Sequence, residues 1–158
     1  MMSDIERMLN ESKSLYENVK SNIEIWREKV NTKKIFQEQW QEFLINARKI
    51  IQKTVKILDN FFPKVTAEFG NSFEIAQSYR KCLDEFNPTV EIITNEIDDY
   101  ITRADILSLN GDTFGQKELL ILELTKVKKR FLARINEYKT LLQMAIRFFE
   151  NSYEVNYI

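Results

Sequence analysis

Between Ser3 and Phe62 the chain contains neither a glycine nor a proline. Helices in globular proteins usually run about 8–20 residues, so a stretch three times that length with no breaker is a strong constraint. It points to a coiled coil, or to one helix shared between successive helical units. Composition agrees. The 158 residues include only three glycines and two prolines, roughly a third of ordinary usage. Sheets joined by tight turns need more of both, so an all-α fold is expected.

The first segment carries Ile5, Met8, Leu15, Val19, Ile23, Trp26 and Val30 in steps of threes and fours, with Ser12 filling the register between Met8 and Leu15. This heptad-like seam is a narrow stripe for one partner surface, and it forms no core alone. Ser3 and Glu6 have capping-box spacing and predict a helix start. The apolar signal lapses for one turn at Asn31, Thr32, Lys33 and Lys34, where nothing breaks a helix. It then returns wider, as one row of Phe36, Trp40, Phe43, Ala47 and Ile50 beside another of Leu44, Ile51, Val55, Leu58 and Phe62. Two adjacent rows mean a face that meets two other helices. Pro63 should end the helix.

After a connection over residues 64–70, Asn71 or Ser72 is expected to cap a second helix. Its stripe runs from Ile75 through Tyr79, Leu83, Phe86, Val90, Ile93, Ile97 and Tyr100 to Ala104, ending near Leu107. Pro88 interrupts it and predicts a kink or a short break. Asn110-Gly111 signals a turn, after which Thr113, with Gln116 three residues on, should cap a third helix. That helix buries a stripe from Leu120 through Leu124, Val127, Phe131, Ile135, Tyr138, Leu142 and Ala145 to Phe149. The expected architecture is an all-α, antiparallel three-helix bundle over residues 34–155, with helices at about 34–62, 72–107 and 113–153. A long helix over residues 3–33 precedes it and is continuous with its first helix.

The middle helix is acidic, with Asp84, Glu85, Glu91, Glu96, Asp98, Asp99 and Asp105, while both its neighbours are rich in lysine and arginine. Such alternation sets pairing specificity more than it adds stability.

Three long heptad helices, the last two joined by a short turn, resemble a spectrin repeat, over about residues 36–155. Tyr79-Arg80-Lys81-Cys82-Leu83-Asp84-Glu85-Phe86 is similar to that family's leucine-rich stretch ending in His-x-x-Phe. Phe86 matches its Phe, and Leu83 replaces its His. Val127-Lys128-Lys129-Arg130-Phe131 resembles its Leu-x-x-Arg-Trp segment, with Phe131 at the Trp position. The family's first-helix Trp falls on Ile50 or Ile51. The departures suggest a divergent repeat, of the kind also found in Rho guanine-nucleotide exchange factors. The resemblance implies that residues 3–33 close a preceding repeat or link to one. It also implies a spacer and protein-interaction module in a larger cytoplasmic, cytoskeletal or signalling protein, with adjacent repeats as neighbours.

Function classes narrow further from what the residues are. The chain has no histidine, which removes the commonest general base and metal ligand, and with them Ser-His-Asp and Cys-His catalysis. No enzyme activity, cofactor or metal site is expected. Cys82 is the only cysteine, so there is no internal disulfide, and it is expected to pack beside the heptad seam. No apolar run reaches the roughly 18–20 residues that span a bilayer, and no secretory signal is expected at the N-terminus. A net charge of −1 gives no general attraction to nucleic acid, and the aromatics lie on core stripes rather than on basic surfaces, so no nucleic acid is expected as a partner.

Two surfaces remain. Leu15, Val19, Ile23, Trp26 and Val30 form a candidate partner-binding face, with a homodimer through this helix as one outcome. Lys126, Lys128, Lys129, Arg130 and Arg134 form a candidate basic patch. It suits anionic lipid headgroups, the alternative function, although pairing with the acidic helix is the simpler expectation. Glu96, Asp98 and Asp99 read as surface charge, with no second acidic cluster to complete a metal site.

Overall fold

The computed structural model describes the backbone of residues 2–61 and 72–157, with the side chains of residues 3–60 and 72–152. Among these the chain is all-α, without a strand. Helix α1 spans Met2–Phe61, α2 spans Phe73–Leu107 and α3 spans Gln116–Tyr157, with a 3-10 turn at Ser108–Asn110 between the last two. The expected roles of Phe62 and Pro63, the connection at residues 64–70 and the Asn71 cap fall outside the described residues.

By its internal contacts the chain divides into two units, Met1–Glu42 and Phe43–Ile158. In the first, α1 begins at Met2, so Ser3 lies inside the first turn rather than capping it. Every side chain over residues 3–35 is exposed, and Phe36 and Trp40 are buried, their rings stacked 6.4 Å apart. The helix passes through the polar lapse at residues 31–34 without a break, and the Thr32 hydroxyl donates to the Glu28 carbonyl at 2.9 Å.

In the second unit α2 and α3 pack against each other. All three helices contribute buried residues to it: Ala47, Ile50 and Leu58 from α1, Leu83, Ile93, Ile97 and Ala104 from α2, and Leu124, Phe131, Ile135 and Leu142 from α3. Burying each large aliphatic or aromatic side chain contributes about 1.5–3 kcal/mol, which makes this core the main source of stability. The Phe43 ring lies 5.4 Å from that of Tyr100, and the Arg103 guanidinium sits over both. Residues late in α2 meet residues early in α3: Asp105 pairs with Lys117 at 3.1 Å and Asp98 with Lys128 at 2.7 Å. At the other end, Phe73 meets Phe149 edge-on at 6.5 Å. Thr54, buried within α1, donates its hydroxyl to the Ile50 carbonyl at 2.9 Å, so its burial leaves no unmet hydrogen bond.

Ser72 caps α2, its hydroxyl accepting from the Ile75 amide at 3.1 Å. The helix runs through Pro88 without interruption. Pro88 cannot donate to the Asp84 carbonyl, but both residues are exposed, where water can take the lost bond. Three expectations are corrected. Ala76 is fully buried where Ile75 was expected, and Ile146 is buried where Ala145, half-buried, was expected. Cys82 is exposed rather than packed, because it lies just outside the row that buries Leu83.

The start of α3 also differs from expectation. Thr113 does not cap it; its buried side chain precedes a left-handed pair, Phe114 at φ 51° and Gly115 at φ 82°. The Asp112 carboxylate accepts from the Phe114 amide at 2.8 Å, and the Thr113 carbonyl accepts from Gln116 at 3.0 Å. These bonds hold the turn, and Gly115 immediately precedes the helix. Left-handed geometry is strained for a phenylalanine, and this one is largely exposed, so little packing offsets the strain. Phe114→Asn should therefore raise unfolding stability by roughly 0.5–1 kcal/mol, read by chemical denaturation. A loss of stability would show that the exposed ring contributes more than its geometry costs.

Candidate partner-binding surface

The stripe begins with a helix that nothing in its own segment covers. Leu15 is 66% exposed, Trp26 64% and Ile23 46%, with Val19 and Val30 near one half. Spacings of three and four hold these five on one helical face. Ile5 and Met8 continue the face toward the N-terminus, and Leu9 and Tyr16 flank it, both exposed. Large apolar side chains aligned and exposed along one helix face differ from the single, scattered apolar residues of ordinary surfaces.

Steps of three and four keep Lys126, Lys129, Arg130 and Arg134 neighbours on α3, whereas Lys128 is drawn to α2. Lys128, half-buried, turns toward α2, where its ammonium bonds both carboxylate oxygens of Asp98 at 2.7 and 2.9 Å. Arg134 pairs with Glu137 at 3.0 Å. Arg130 and Arg134 line a cleft of about 240 Å³ with Leu58, Asp59, Ala133 and Glu137. Phe131, fully buried between these groups, separates the Lys128 side of α3 from the Arg130 and Arg134 side. Lys126 and Lys129 are exposed. The cleft falls short of the roughly 300–1,000 Å³ of small-molecule sites, and two acids already face its two arginines. Its field is locally balanced.

Three acidic residues of α2 pair with bases: Asp98 with Lys128, Asp105 with Lys117, and Asp99 with Arg103 at 3.8 Å. Among the described residues no group of three or more carboxylates or cysteines is placed to hold a metal ion. No helix among them is long and apolar enough to cross a membrane.

Sequence reasoning missed the exposed apolar residues on either side of the α2–α3 turn, Ile106, Leu109, Phe114 and Leu119. Phe114 had one legible signal, an aromatic wedged between Asp112-Thr113 and Gly115 in a turn-forming stretch. Comparisons of the chain with family models, curated proteins and solved structures return no match. The surface is therefore read from its geometry.

Among the described residues the one strongly shifted ionisable group lies in the core. Burial, with Tyr79 and Cys82 nearby, pushes the Tyr138 phenol well above its usual value of 10.0. A raised folded-state value means that the native protein keeps its proton where the unfolded chain loses one. This contribution is complete below about pH 10 and declines as pH rises beyond it. Tyr138→Phe should flatten the fall in stability between about pH 10 and pH 11, measured by urea unfolding at successive pH values. An unchanged slope would mean that the phenol ionises freely in the folded state.

Proposed function

We propose that the chain is a non-enzymatic spacer and protein–protein interaction module. It is an antiparallel three-helix bundle of spectrin-repeat type, preceded by a helical segment whose apolar face takes a protein partner. Its setting is a larger intracellular scaffold, cytoskeletal or signalling. The observation that carries this reading is the aligned, exposed stripe of Leu15, Val19, Ile23, Trp26 and Val30 on a stretch of α1, residues 3–35, that buries no side chain.

Further support comes from the second unit. The pairs Asp105–Lys117, Asp98–Lys128 and Phe73–Phe149 descend α3 as they ascend α2, which favours antiparallel helices. The Phe43–Tyr100 contact ties α1 to α2, and the cleft between Leu58 and Arg130 ties α1 to α3. Leu83 and Phe131, at positions that resemble the spectrin-repeat motifs, both lie in the core. A bundle of this kind acts through surface complementarity and through a stiff helical connection that fixes spacing. Balanced charge around Arg130 and Arg134 weighs against lipid binding there.

A thermal melt of the isolated chain, followed by circular dichroism at high dilution, tests this reading. High helicity and one cooperative transition are expected. Phe131→Ala should cost about 3–5 kcal/mol, while Trp26→Glu should change stability by no more than about 0.5 kcal/mol. A low-helicity chain, or a gradual melt, would sink the bundle and the function built on it.

A further inference from the structure

Resting on the reading of this stripe as a partner-binding face, we propose that its partner is a second copy of the same segment. The two run antiparallel, with the two-fold axis at Val19. Outward from Val19 the seam runs in steps of four, three and four residues in both directions. One way it reaches Leu15, Ser12 and Met8, the other way Ile23, Trp26 and Val30. The two consecutive steps of four that meet at Val19 break the regular heptad spacing. A seam with one irregularity pairs antiparallel along its whole length only when that irregularity lies on the axis. Here it does.

Side-chain sizes separate this arrangement from a parallel one. The antiparallel pair sets Ser12, the smallest residue of the seam, against the partner's Trp26, the largest. It sets Leu15 against the partner's Ile23, Met8 against the partner's Val30 and Val19 against the partner's Val19. Each layer then holds a comparable volume, as close packing requires. A parallel pair stacks Ser12 on Ser12 and Trp26 on Trp26, leaving one layer underfilled and another overfilled.

Charge agrees with size. The half before Val19 carries Asp4, Glu6, Glu11 and Glu17 against two bases. The half after it carries Lys20, Arg27, Lys29, Lys33 and Lys34 against two acids. Antiparallel pairing brings opposite halves together and places Glu11 beside the partner's Lys29, at positions flanking the seam. Parallel pairing joins like halves and places Lys29 beside the partner's Lys34. The segment also needs such support: all its side chains over residues 3–35 are exposed, and helices without packing are marginal in water.

The test uses the full chain carrying Cys82→Ser, with Leu15→Cys in one preparation and Ile23→Cys in another. On mild oxidation, the mixture should give several-fold more disulfide-linked dimer than either preparation alone. Linkage mainly within the separate preparations would overturn the antiparallel pairing. Sedimentation of the unsubstituted chain across micromolar to millimolar concentrations should show a dimer. Trp26→Glu should weaken that dimer about tenfold or more. Glu11→Lys should weaken it, and adding Lys29→Glu should restore it. A chain that stays monomeric yet melts cooperatively overturns this pairing and leaves the bundle standing. A monomer that melts without cooperativity overturns both.

Discussion

A single unbroken helix cannot double back on its own apolar face. That constraint governs α1, which runs from Met2 to Phe61 without interruption and without a glycine or proline over residues 3–60. Whatever the stripe from Ile5 to Val30 buries itself against must come from outside its own segment. Packing, more than propensity, decides which parts of such a helix are stable. One helix therefore serves two purposes. Its later residues, among them Ala47, Ile50 and Leu58, complete a core, whereas its earlier residues present an unburied surface.

Electrostatics shapes the second unit without supplying most of its stability. The two ion pairs seen between α2 and α3 join acids of α2 to lysines of α3, and their side chains remain between about a quarter and three-fifths exposed. Pairs of this kind contribute about 0–1 kcal/mol each. Their greater effect is on register: shifting α3 along α2 would part Asp98 from Lys128 and Asp105 from Lys117 together. One of these pairs also draws Lys128 out of the run of bases on α3. Lys128 and Arg130 lie on opposite sides of the buried Phe131.

Most of the helical pattern was legible because heptad phase and burial coincide. Leu83, Ile93, Ile97, Leu124, Phe131, Ile135 and Leu142 were placed on the core stripes from spacing alone, and all are buried. The misses are instructive. Ala76 lies seven residues before Leu83 and so belongs to its row, but Ile75 drew the assignment by being the larger apolar residue. Ile146 is the opposite case: it lies four residues after Leu142 and is buried where the regular step of three pointed to Ala145. Phase was the better guide at Ala76. Thr54 was invisible to hydropathy, because its hydroxyl is satisfied by a carbonyl of its own helix. The start of α3 was misplaced because a Thr with a Gln three residues on resembles a cap, whereas Asp112 captures the Phe114 amide first and turns the chain left-handed.

The exposure of the stripe follows its spacing, and the proposed pairing rests on its residue types. The break in spacing at Val19 looks like a defect while the helix is considered alone. Beside a second copy turned end for end it becomes the one position that maps onto itself, and the residues on either side fall into complementary pairs. Small opposite large, and acid opposite base, are two independent properties of the same seam. Neither is required for α1 to be helical, so their agreement is evidence about assembly rather than about folding.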